Sequence, residues 1–195
     1  MNKQFLLLLG LFTLGIIGGF LITNNYPKSN SQITPEPSPT PFFTKENCLA
    51  DNCLSNEIEF PVKELSSTIK DSLYQALDDE YNAYVTYNNT ISAFGNIRPF
   101  IMIARAEQQH IAALQALFDK YNLEIPENNY QGNIETSESI KSACDIGVKE
   151  EKENIELFRE KLLPLVTEYE DITAVYTNLM NASEQKHLPA FERCN

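Results

Sequence analysis

The chain has 195 residues, 43% of them hydrophobic, and a formal net charge of −12. That is room for one domain with appendages. No cluster of Lys or Arg stands out from the acidic background, which argues against nucleic acid as a partner, since that binding sets cations against phosphates.

Phe5 to Ile22 is an apolar run broken only by Thr13 and glycines, with Lys3 ahead of it. Such a run can cross a bilayer as a helix or serve as a secretory signal. No small-x-small cleavage site is evident in Phe20-Leu21-Ile22-Thr23. The expectation is therefore an uncleaved anchor over residues 1–23, with secretion after cleavage as the alternative. Lys3 on the cytoplasmic side places the remainder outside. Residues 24–61 form a linker. Its Thr34-Pro35-Glu36-Pro37-Ser38-Pro39-Thr40-Pro41 stretch favours an extended polyproline segment. The four cysteines Cys48, Cys53, Cys144 and Cys194 suit an oxidising compartment. They allow three full pairings, and none is a Cys-x-x-Cys site.

Residues 62–195 read as a helical domain. A first helix starts near Ser66 or Ser67 and stops at Gly95. Its apolar stripe is Ile69, Leu73, Leu77, Tyr84, Tyr87 and Ile91, with Glu80 filling the gap. A carboxylate on such a face is costly unless something pairs with it. A second helix follows Pro99 and runs to about Tyr121. Its stripe is Phe100, Ile103, Glu107, His110, Leu114, Leu117 and Tyr121. Asn122 to about Ser139 is polar and long enough to run the length of a bundle.

The third helix runs from about Ser139 to Leu163, with Pro164 marking its end or a kink. Its stripe reads Ala143, Gly147, Glu151, Ile155, Phe158 and Leu162, and helical phase favours Glu151 over Glu150. The fourth runs from about Asp171 to Leu188. Val175, Tyr176, Leu179 and Met180 lead into Glu184 and His187, with Phe191 beyond. Pro189 predicts a kink or an end just after that motif.

The sequence contains only two histidines, His110 and His187, and each follows a glutamate by three residues. Positions i and i+3 share a helix face, so each pair could address one metal ion. The two halves match: Glu80 then Glu107-x-x-His110, and Glu151 then Glu184-x-x-His187. Four carboxylates and two imidazoles facing inward would be neutralised by two divalent cations. Mixed oxygen and nitrogen donors suit Fe, Mn or Zn. Tyr84 and Tyr176 are candidate hydroxyl donors beside this cluster, though such tyrosines are more often core.

At these residues the chain resembles the ferritin-like superfamily, over about residues 64 to 193. Phe100-x-x-Ile103-x-Arg105-Ala106-Glu107-x-x-His110 looks like the second helix of rubrerythrin-like proteins, and Asp79-Glu80-Tyr81-x-Ala83 looks like the first. Ala182-Ser183-Glu184-x-x-His187-Leu188-x-Ala190-Phe191 is similar to a branch of ferritin-like domains without assigned function. The resemblance implies an all-α, ferritin-like four-helix bundle with a long crossover between helices 2 and 3. It implies Glu80, Glu107, His110, Glu151, Glu184 and His187 as ligands of two divalent metal ions, Fe foremost.

On that bundle, Cys144 lies seven residues before Glu151 and Cys194 seven after His187, so antiparallel third and fourth helices would bring them together. A Cys144–Cys194 disulfide is the resulting expectation, with Cys48–Cys53 left over. The function expected is oxidoreductase chemistry on dioxygen, peroxide or Fe(II), with non-catalytic metal buffering as the alternative. Expected partners are the membrane, through the N-terminal helix, and a small oxidant or metal ion. A homodimer stays open. Iron storage and a rubredoxin-type electron-transfer site are not expected.

Overall fold

Four helical rods account for most of the computed structural model, which describes residues 62–194. The apolar run, the Pro-rich linker, Cys48 and Cys53 lie outside the described residues. Among the described residues there is no strand, and no helix is long and apolar enough to cross a membrane.

Helix α1 spans Ser67–Phe94. Ser66 caps it, its side chain accepting from the Ile69 N–H. Gly95 ends it at φ 86, a conformation that favours glycine, while its N–H closes the last turn on Ile91. Helix α2 spans Phe100–Lys120 and begins directly after Pro99. Helix α3, Ile140–Glu156, is capped by Ser139, whose hydroxyl accepts from the Ser142 N–H at 3.1 Å. It continues through a π turn, Leu157–Leu162, and one turn of 3-10 helix, Leu163–Leu165. Helix α4, Glu170–Ala182, runs into a second π turn, Ser183–His187, and then into α5, Leu188–Glu192.

The two π turns share a cause that can be read in the sequence. In each, the N–H that closes the widened turn belongs to the residue before a proline. Leu163, ahead of Pro164, donates its N–H to Phe158, and Leu188, ahead of Pro189, donates to Ser183. Both bonds reach back five residues. A proline inside a helix has no N–H and crowds the carbonyl four residues back, and a widened turn relieves that conflict. The fourth rod therefore continues through Pro189 to Glu192, where a kink or an end was expected.

Contacts between rods fix their directions. Near the start of α1, Tyr74 stacks edge-on against Phe118 near the end of α2, with ring centroids 5.0 Å apart. Tyr87 of α1 reaches Glu151 of α3, while the earlier Asp79 reaches the later Asn154. So α2 and α3 both run against α1 and hence parallel to each other, which obliges the segment between them to travel the length of the bundle. It does so along α1: Tyr74, Tyr81 and Asn89 donate in turn to the carbonyls of Glu124, Pro126 and Ile134. A disulfide joins Cys144, early in α3, to Cys194, just past α5, with Cα atoms 5.8 Å apart. It closes the α3/α5 end, as the helix arithmetic anticipated.

The core is divided. One apolar cluster gathers Leu73 and Leu77 of α1, Leu114 and Phe118 of α2, Phe158 and Leu162 of the third rod, and Ile172, Tyr176 and Leu179 of α4. The other gathers Tyr87, Phe100, Ile103, Ala143, Cys144 and Phe191. On every rod, the residues between these two clusters in sequence include the buried polar ones described next.

Candidate metal centre

Glu80, Glu107, His110, Glu151 and His187 form a buried polar layer between the two apolar clusters, none of them more than 3% exposed. Each rod delivers its share by helical phase. In α1, Leu77 and Ala83 flank Glu80. In α2, Glu107 and His110 sit one turn apart between Ile103 and Leu114. Glu151 of α3, not Glu150, takes the inner position, and the half-buried Glu150 accepts from Asn82 at 2.9 Å.

Glu107 is the hub. Its Oε2 lies 2.9 Å from His110 Nδ1, and its Oε1 lies 3.2 Å from His187 Nδ1. Glu80 completes the first side, with Oε2 3.1 Å from His110 Nδ1. Glu151 completes the second, with Oε2 3.4 Å from His187 Nδ1. The two imidazoles lie nearly parallel, their centroids 5.5 Å apart. Two overlapping triads result, Glu80/Glu107/His110 and Glu107/Glu151/His187. In each, one donor atom per residue lies within 4.8 Å of the others. Both triads could hold a metal ion.

Glu184 departs from the expectation. It faces solvent and pairs with Arg159, Nη2 to Oε1 at 2.7 Å, both side chains being about 40% exposed. The π turn is the reason. A regular helix winds by about 100° per residue, which would leave Glu184 and His187 roughly 60° apart around the axis. A π turn winds by only about 80° per residue, so three residues leave them more than roughly 110° apart. Four residues in the wider turn nearly complete a revolution, and it is Ser183, 1% exposed, that shares the buried face with His187.

The surrounding hydrogen bonds orient the layer. Tyr87 donates its hydroxyl to Glu151 Oε1 at 2.7 Å. Asn154 donates its amide to Asp79 at 2.7 Å, with Glu80 Oε1 at 3.4 Å from the same nitrogen. These partners were not singled out from sequence as site residues. Tyr87 could have been, because it stands seven residues after Glu80 and so on the same face. Asn154 stands three residues after Glu151 on a stripe read for apolar residues only. Tyr84 instead packs against the larger apolar cluster, and the Tyr176 hydroxyl lies 3.2 Å from Ser72 Oγ.

Burial and mutual charge decide the protonation of these groups. Burial pushes the Glu80 carboxyl well above the usual range, with His110 opposing and Glu107 adding to the rise. Burial acts to lower His110, but Glu80 and Glu107 outweigh it and hold the imidazolium up at about 10. The same contest, with Glu107 and Glu151 as the acids, raises His187 well above its ordinary value. Burial would raise Glu107 too, yet the two imidazoles beside it hold its carboxyl far down. Burial lifts Asp79 to about 7, opposed by its Asn154 bond and reinforced by Glu150.

The donor set fits cations on one further ground. Neither nitrogen of His187 has a hydrogen-bond partner among the described residues, despite the nearby carboxylates, and neither does Asn154 Oδ1. Buried imidazole nitrogens without partners are rare in folded proteins and call for a ligand.

The sequence model of one protein family, described as Uncharacterized protein domain (DUF2202), matches residues 70–194. The chain belongs to the DUF2202 family. The matched span runs from the first turn of α1 to the disulfide cysteine Cys194, so it takes in both triads. No curated protein and no solved structure matches the chain.

Proposed function

We propose that this DUF2202 protein is a ferritin-like, dinuclear metal protein that carries out oxidoreductase chemistry on dioxygen, peroxide or Fe(II). Its apolar N-terminal run would hold the domain outside the cytoplasm. The observation that carries the reading is the sharing of Glu107 between two buried triads, one carboxylate oxygen turned to each histidine. A single-ion site needs no such shared carboxylate. Glu80, Glu107 and His110 would hold one ion, and Glu107, Glu151 and His187 the other. Mixed carboxylate and imidazole donors suit Fe, then Mn or Zn.

When bound, a pair of redox-active ions supplies one electron each, which matches the two-electron reduction of peroxide. The protein's own residues do the rest. Tyr87 and Asn154 fix the rotamers of Glu151 and Glu80 through their hydrogen bonds. The apolar clusters on either side limit the access of bulk water to the layer. Five side chains shared between two ions would not saturate them, which would leave room for a small oxidant.

Elemental analysis of protein purified from its own host tests the first step. The expected result is two metal ions per chain. Both are lost in Glu107→Gln, and one is retained in Glu80→Gln. Oxygen- and peroxide-electrode traces of the Fe(II)-loaded protein test the second. Metal-free protein from the host overturns the whole reading. Two ions per chain with no oxidant consumed leaves a metal-buffering bundle.

A further inference from the structure

A groove of about 620 Å³ opens beside the metal centre, with His187 as part of its lining. Its other lining residues are of two kinds. Pro99, Met102, Ile103, Ala106, Ala190 and the disulfide-bonded Cys194 provide an apolar wall, and Arg98, Lys186 and Arg193 provide three cations. In a chain whose acids outnumber its bases 27 to 15, no acidic residue among the described residues lines this groove. The guanidinium groups of Arg98 and Arg193 make no ion pair among the described residues. The volume lies in the range of small-molecule sites, which pair apolar walls with a few convergent polar groups.

A second observation comes from the charge of the centre itself. With Glu184 turned out to Arg159, the layer offers three carboxylates. Two divalent cations against three carboxylates leave an excess of one positive charge (4 − 3 = 1). An external anion would neutralise it. The groove reaches the centre at His187, on the same rod from which Glu184 is missing. A positively lined approach repels entering cations and attracts anions, so it serves a substrate or co-ligand and not metal loading.

We propose that this groove binds a small organic anion, an apolar body carrying one carboxylate or phosphate. Its charged end sits among Arg98, Lys186 and Arg193 beside His187, where it supplies the negative charge that Glu184 does not. The role at the metal ions rests on the dinuclear reading above. The groove's preference for anions rests on its own lining.

Equilibrium dialysis of the full chain in a neutral detergent, with labelled hexanoate as the probe, tests this. Metal content is measured on the same samples. Hexanoate and hexyl phosphate are expected to bind, and hexanol and hexylamine are not. The double variant Arg98→Glu/Arg193→Glu should bind hexanoate at least about tenfold more weakly while keeping its metal content. If the variant binds hexanoate as the parent does, the groove is not the site. Binding of inorganic phosphate as tight as that of hexyl phosphate overturns the organic body. Capture by vesicles of anionic lipid with no hexanoate bound overturns the small anion in favour of a membrane surface. A chain that binds hexanoate in the groove but carries no metal refutes the dinuclear reading and leaves the anion site standing.

Discussion

The Tyr87 hydroxyl donates to Glu151 Oε1 at 2.7 Å, joining α1 to α3 inside the polar layer. Tyr87 is fully buried, and its ring packs 4.9 Å from Phe191 and 6.2 Å from Phe100. The aromatic cluster thus sets the position of an oxygen that in turn sets the carboxylate. Tyr87→Phe keeps the ring and removes the bond. Hydrogen bonds to charged groups contribute about 1.5–3 kcal/mol, and loss of a partner behind a metal ligand costs roughly 10–100-fold in affinity. The expected outcome is retention of the fold and a weaker second ion, seen as metal loss at lower chelator concentration than in the parent.

Glu184 separates the geometry of the fourth rod from its sequence pattern. Its ion pair with Arg159 is solvent-exposed, and such pairs are worth about 1 kcal/mol at most. Glu184→Gln should leave metal content unchanged and shift the melting temperature little, whereas Glu151→Gln should release one ion. Loss of a metal ion from Glu184→Gln would mean that the glutamate turns inward when the site fills.

Much of this architecture is legible in the residues. Ser66, Gly95, Ser139 and the 3.6-residue stripes locate the rods, and a glutamate at an otherwise apolar position marks the polar layer at Glu80, Glu107 and Glu151. The i, i+3 rule holds for Glu107 and His110 because α2 is regular. It fails for Glu184 and His187 because a π turn changes the phase within the motif, and Pro189 read alone suggests a break and not a widening. Ser183 and Asn154 stayed hidden for another reason. Small polar residues on a buried face look like boundary positions until the partner rod shows what they meet.

Gly147 shows how tightly the third and fourth rods meet. A Cβ built there would lie 2.6 Å from the Phe191 ring, well inside contact distance. Gly147→Ala must displace Phe191, and with it the ring contacts to Tyr87 and Phe100. The gain in helix propensity, about 1 kcal/mol, is smaller than overpacking costs of about 1–3 kcal/mol plus the disturbed aromatic cluster. A net loss of stability is expected in thermal unfolding. The variant should recover when Phe191 is also shortened to Leu, which makes room for the methyl group.

Protonation of the layer predicts how stability depends on pH when metal is absent. His110 has a folded pKa of about 10 against 6.5 for the free side chain. Its contribution is fully present below 6.5 and is lost as pH rises through about 10. Asp79, raised from 3.8 to about 7, acts in the same direction at lower pH: the folded state holds the proton more tightly, so stability falls from about pH 4 to 7. Only Glu107, held low by its imidazole neighbours, opposes this, and its effect is confined to the acid side of 4.5. Chelator-treated protein should therefore lose denaturation midpoint steadily from pH 5 to 10. Metal binding requires neutral imidazoles, so loading at neutral pH must eject protons and tighten as pH rises. Titration of the metal-free protein with Mn(II) in weakly buffered solution should show that proton release, and the loaded protein should keep its midpoint across the same range. A flat profile without metal would mean that the layer does not hold the protons its burial and charges dictate.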